Sequence, residues 1–368
     1  MRSVRKAYLS VSLLGMLFIA SCGSDSSTEE VATVDSAVVA DSTATPAEDS
    51  LPSEEGQVTN IPDGATEIIP TGDLSVFAGK SVGIANLAPV PGAERFTKIV
   101  QACVEANGGS VDFQDVGGDA TKLPVLLETW ATAKVDAIFN AGIDMTGQES
   151  IIQKFNDANT PILTWGAGNP AGVINLTPET EEEGRNWGRY LVEKFGGEGD
   201  VLLVTAQNPS LQSREKGLKE VLGTSNMKLT IVGESAGFSA ESAQKSTETA
   251  LLANPNYKAV IGSFGSLASG ATIAVEAAKS EAVVLGANGD PEEFDAIRKG
   301  GAFKMTLAGG HEFGGQSACK IAAGIIGGGS APGVAGKEIF TTSVIVTAEN
   351  NPPSGSAEET ARRLYQMP

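Results

Sequence analysis

The chain has 368 residues, with 45 Asp and Glu against 26 Lys and Arg, a formal net charge of −19. Such an excess of negative charge argues against nucleic acid and against an anionic membrane surface as the binding target. The length allows two domains of ordinary size, and the one histidine, His311, excludes a His-rich metal site.

Arg2, Arg5 and Lys6 open the chain, and an apolar run over 7–20 follows. That run is too short to span a bilayer as a finished helix but fits the apolar region of a signal peptide covering 1–21. Ala20 and Ser21 lead directly into Cys22. This arrangement resembles the lipobox of bacterial lipoproteins, in which the cysteine is acylated and becomes the mature N-terminus. Cys22 is therefore expected to carry a lipid anchor, with an ordinary secretory signal as the alternative. Several acyl chains on one cysteine give lasting attachment where one would not.

From 23 to 79 there are 12 Asp or Glu and no Lys or Arg. Such a segment buries too little apolar surface to offset its ordering entropy, so 22–79 reads as an acidic, extended, disordered tether. The remainder, from Lys80 to Pro368, has 23 basic and 33 acidic residues, a net charge of −10.

Beyond the tether one unit repeats: a short apolar run, then an amphipathic helix. The runs predict strands over 81–85, 111–115, 137–140, 162–165 and 173–176, then over 201–206, 228–234, 259–263, 283–287, 303–308 and 341–347. Helices are predicted over 94–107, 122–133, 148–158 and 179–195, then over 211–222, 240–253, 268–278, 292–299 and 312–326. Continuous apolar strands alternating with helices mean parallel sheets covered on both faces. So many strands exceed one small domain, and the fold class expected is α/β with two doubly wound parallel-sheet lobes. In such sheets ligands bind beyond the carboxyl ends of the strands. Cys103 and Cys319 both lie in helical patterns. Two buried free thiols are expected, with a bridge between them left open.

Several stretches, in order and spacing, resemble the type I periplasmic binding proteins of the ribose-binding kind. They are 80–86, 135–140, 159–164, 213–217, 253–260 and 284–290. The likeness runs from about Lys80 to Ala348. It implies lobes joined by a three-segment hinge, with crossings near 177–179, 307–309 and 341–344, and closure on a ligand in the cleft. The lobes would be 80–178 plus 309–340 and 179–308 plus 341–350, with 351–368 a C-terminal tail. Repressors on the same core carry a DNA-binding motif before it; here a signal and an acidic leash stand there instead.

Matched position by position, the resemblance implies polar ligand contacts at Asn140, Lys216 and Asn288 and a stacking aromatic at Phe238. Departures are several: an Asp-Arg pair is replaced by Gly166 and Ala167, and an aromatic pair by the surroundings of Ala93 and Glu94. A polar Asn is replaced by Phe264, and a Gln by Gly309. Trp165 and Phe264 are candidate new walls, and Glu94 a candidate acceptor. Trp130 and Trp187, within helices, are expected to be packing residues.

Enzymatic readings find little support. Gly79, Lys80 and Ser81 look like the end of a phosphate-binding loop, but the loop needs Gly where Leu74 stands, and this lysine opens a strand instead of following one. No Gly-x-Ser-x-Gly elbow occurs; 237–241 is the nearest miss. His311, between a strand and a helix near a crossing, is expected at a surface or helix start, with cleft lining second. The reading is therefore a non-enzymatic, monomeric, extracytoplasmic receptor without cofactor, handing a small sugar or polyol to the permease of an ABC importer. A non-sugar solute, or presentation to a chemoreceptor or kinase, is the alternative.

Overall fold

A computed structural model of the chain describes residues 71–331, 336, 338–341, 343–351. The signal segment, Cys22, most of the expected tether and the tail from 352 lie outside these residues.

The first lobe is built on β1 (Ser81–Asn86), β2 (Ser110–Asp115), β3 (Ala137–Ala141), β4 (Ile162–Trp165), β5 (Ile174–Pro178) and β11 (Glu338–Thr341). They form one parallel sheet in the order β11-β5-β4-β3-β1-β2. The second sheet, β12-β10-β9-β8-β6-β7, comprises β6 (Glu198–Val204), β7 (Asn226–Val232), β8 (Tyr257–Gly262), β9 (Val283–Leu285), β10 (Phe303–Ala308) and β12 (Val344–Val346). Among the described residues its one antiparallel pairing is β10 with the edge strand β12. Strands β1, β3, β4 and β5 are buried along almost their whole length, as strands covered on both faces must be.

Helices α1 (Pro91–Ala106), α2 (Leu123–Ala133), α3 (Glu149–Asp157) and α9 (His311–Ile326) cover the first sheet. The second is covered by α4 (Thr180–Phe195), α5 (Pro209–Leu222), α6 (Ala240–Ala253), α7 (Gly265–Ala277) and α8 (Pro291–Lys299). Trp130 and Trp187 are core residues, each with its indole nitrogen donating a hydrogen bond, to Asp112 and to the Gly286 carbonyl. The chain passes between the sheets after β5, after β10 and after β11.

Three expectations need correction. Ordered structure begins before Lys80: a 3-10 turn over Leu74–Phe77 carries Phe77 into the core beside α9, and the Gly72 amide donates to the Lys320 carbonyl. Acidic composition hid this turn because one buried aromatic is enough to dock it. Cys103 of α1 and Cys319 of α9 are not free thiols but a disulfide, which staples two helices packed side by side on the first sheet. The run expected as one strand over 341–347 is two: β11 ends in the first sheet at Thr341 and β12 begins in the second at Val344.

Candidate functional site

The carboxyl ends of both sets of strands face a cleft enclosing about 620 Å³, counting its mouth. Leu87, Ala141, Gly142, Trp165 and Gly166 follow or end β1, β3 and β4 on one side. Asn208, Phe238, Phe264 and Asn288 follow β6, β7, β8 and β9 on the other.

Among the described residues Arg214 is the one charged side chain lining the cleft. It sits on the buried face of α5 with Leu211, Gly217 and Leu218, at helical spacing. Its side chain is 5% exposed and held from three directions. Nε donates to Glu183 at 2.6 Å, Nη1 to the Ser263 carbonyl at 2.8 Å, and Nη2 leans on Asn288 Oδ1 at 3.4 Å. Glu183, on α4, also accepts from Ser343 in the third crossing. Burial of this arginine is tolerable because a carboxylate and a carbonyl compensate it. Helices α4 and α5 come together where each has glycine: a Cβ at Gly217 would lie 1.9 Å from the Glu181 carbonyl, and one at Gly184 1.9 Å from the Arg214 carbonyl.

Asn288 turns from β9 toward α8 at φ 97°, a conformation a non-glycine residue adopts only when its surroundings hold it. Arg95, on α1 of the first lobe, supplies the hold: its guanidinium donates to the Asn288 and Gly289 carbonyls, each at 2.9 Å, and to Asp290 at 2.8 Å. It also reaches Glu312 at 3.2 Å and His311 Nδ1 at 3.4 Å. Burial pushes the Asp290 carboxyl up to about 6 against the pull of Arg95. Burial also holds His311 well below the usual imidazole value, with Arg95 and Arg214 adding to the effect. The ring is therefore neutral. An arginine only donates, so Nδ1 accepts and the ring hydrogen sits on Nε2.

Asn208 caps α5 and reaches across the cleft: its Oδ1 accepts from the Ser210 and Leu211 amides, while Nδ2 donates to the Gly142 carbonyl at 2.8 Å. Ser210 donates to the Gly166 carbonyl at 3.1 Å. The apolar walls are Trp165, stacked on Phe96 with centroids 5.6 Å apart and 4.9 Å from His311, and the tilted pair Phe238–Phe264, 6.2 Å apart.

Four of the seven candidate contacts from sequence, Trp165, Phe238, Phe264 and Asn288, therefore meet in the cleft. Three do not. Asn140 is fully buried at the end of β3 and spends its amide on both backbone groups of Ile143. Lys216 lies on the outer face of α5, 71% exposed and paired with Glu181. Glu94 faces solvent on α1 and pairs with Lys98. Sequence reasoning missed Arg214, Asn208 and Ser210; His311, expected at a helix start with cleft lining second, opens α9 and lines the cleft. For Arg214 the signal existed: the apolar residues of α5 place 211, 214 and 218 on the inner face and 216 on the outer.

A family model described as a periplasmic binding protein domain matches residues 90–330. The chain belongs to the periplasmic binding protein family. As such it is an extracytoplasmic solute-binding receptor, not an enzyme. This binding protein is 27% identical over 219 residues, 55% of its length and 70% of the relative's, to the D-apiose import binding protein of Actinobacillus succinogenes. By fold it is similar to an ABC transporter solute-binding protein of Agrobacterium vitis solved with bound allitol. There the identity is 22% and the TM-score 0.68, covering 78% of this chain and all of that one. It is also similar to one from Mycobacterium smegmatis with bound glycerol, at 18% identity and TM-score 0.69, covering 76% and 98%.

Proposed function

We propose that this binding protein captures a small sugar or polyol in the interlobe cleft and delivers it to the separate permease of an ABC importer. The observation that carries the reading is Arg214, a fixed donor set between two lobes and flanked by aromatic faces. Aromatic rings take the C–H faces of a sugar ring, and preorganised donors take its oxygens. The relatives, a D-apiose import binding protein and a receptor with bound allitol, point the same way. In this reading the protein works as a monomer, attached to the cell membrane through acylated Cys22.

A thermal-shift screen of the purified protein against monosaccharides, polyols, amino acids and nucleosides tests the ligand class. A ligand at a hundred times its dissociation constant adds about 2.7 kcal/mol of stability. Shifts confined to amino acids or nucleosides would remove the sugar assignment. Deleting the gene should abolish uptake of the ligand so found; undiminished uptake would remove the import role.

A further inference from the structure

Arg214, Asn288 and His311, from the two lobes, all line the cleft. Asn288 Nδ2 and His311 Nε2 come together beside Gly92, where a Cβ would stand 2.7 Å from the first and 2.8 Å from the second. All three are hydrogen-bond donors. Oδ1 of Asn288 already leans on Arg214, and Nδ1 of His311 on Arg95. Asn208 and Ser210 donate to the backbone of the opposite lobe.

Among the described residues no carboxylate lines this cleft. Glu183, behind Arg214, is taken by Arg214 and Ser343, and Asp290 and Glu312 are held by Arg95. Thr180 adds one hydroxyl, and most of the remaining wall is apolar: Leu87, Val90, Trp165, Phe238 and Phe264. A fully hydroxylated sugar ring carries O–H donors on every side, and each one sealed against this wall would lack an acceptor. A ring with oxygens along one edge and bare carbon along the other loses nothing there.

Resting on the sugar reading above, we propose that the cleft selects a deoxygenated monosaccharide: its oxygens face Arg214, Asn288 and His311, and its methyl or methylene flank lies on Phe238, Phe264 and Trp165. Phe264 is the specificity-determining residue, since it closes with carbon the side on which a polar residue would accept from a hydroxyl.

Titration calorimetry of the full chain against matched pairs tests this: fucose with galactose, rhamnose with mannose, and 2-deoxyribose with ribose, each in both enantiomeric series. The deoxygenated member should bind about tenfold or more tightly in the pairs that bind, the penalty expected for one unpaired buried hydroxyl. Phe264→Asn should erase or invert that preference. Equal affinity, or a preference for the parent sugar in the wild-type protein, overturns the proposal and leaves sugar binding standing. Silence of every carbohydrate overturns both. The wild-type comparison decides even if Phe264→Asn does not fold.

Discussion

Arg95 of the first lobe and Asp290 of the second meet across the cleft at 2.8 Å, both largely withdrawn from water. Because the same guanidinium also holds the Asn288 and Gly289 carbonyls, Arg95 latches the first lobe to the second. Arg95→Met should free the lobes and leave Asp290 without its partner. The expected loss is about 2–4 kcal/mol of stability at pH 7.5, with a larger radius of gyration in small-angle scattering. An unchanged radius would show that the latch does not set the interlobe angle.

Burial of Asp290 fixes the sign of a pH effect. The Asp290 carboxyl is raised to about 6 by burial, which outweighs Arg95; Glu292 and Glu312 push the same way as burial, and Arg214 opposes them. A raised carboxyl contributes stability that is full below the ordinary value, near 3.8, and is lost as pH rises through about 6. His311, lowered, works in the opposite sense: its contribution is full above 6.5 and is lost on acidification. Comparison with Asp290→Asn reads the Asp290 contribution together with that of Glu293, whose carboxyl burial raises and the Asp290 charge raises further. From pH 5 to pH 7.5 the wild type should lose about 1 kcal/mol relative to the variant in denaturant titrations; a gain would contradict the assignment.

Arg214 and Lys216 sit two residues apart on opposite faces of α5, and their substitutions should separate cleanly. Arg214→Lys keeps a charge but not the three-way fork to Glu183, Ser263 and Asn288. Ligand affinity should fall about a hundredfold or more. Lys216→Ala, whose pair with Glu181 is exposed, should change affinity by less than about twofold. Calorimetry with the ligand identified by the thermal-shift screen reads both.

The helix contact that aims Arg214 is equally open to test. At Gly217→Ala the new methyl would collide with the Glu181 carbonyl on α4. Backbone cannot swing away as a side chain can, so the variant should lose about 1–3 kcal/mol and bind ligand more weakly through the displaced arginine. Wild-type stability in thermal denaturation would mean that α4 and α5 have room to separate.

Much of this molecule was legible in its sequence, and the reason is local. Buried parallel strands such as 137–141 and 162–165 are continuous apolar runs, and turn residues bound them. Cleft residues that follow strands, such as Trp165, Phe264 and Asn288, were legible too, because in this architecture position along the chain predicts position in space. What was hidden depends on tertiary partners. The split between β11 and β12 is invisible to periodicity, since both halves are equally apolar and differ only in the sheet they join. Asn140 reads as a binding amide until Ile143 is seen to consume it. Arg214 and Lys216 are alike in residue type, and only the face of α5 each occupies tells the cleft residue from the exposed one.

The bridge between Cys103 and Cys319 spans a sequence separation of 216 and encloses the first two interlobe passages. It should be worth about 2–4 kcal/mol, measured as the stability lost on reduction or in Cys103→Ala/Cys319→Ala. Its topological effect is larger. All of the second lobe from α4 to β10 is threaded on a covalent ring whose clasp lies in the first. A protease that nicks the chain once, at either of those passages, opens the ring without parting the halves. The nicked protein migrates as one species on a non-reducing gel and as two only after the thiols are restored. For a receptor exposed outside the cell, damage at its hinge is then survivable as long as the clasp stays oxidised.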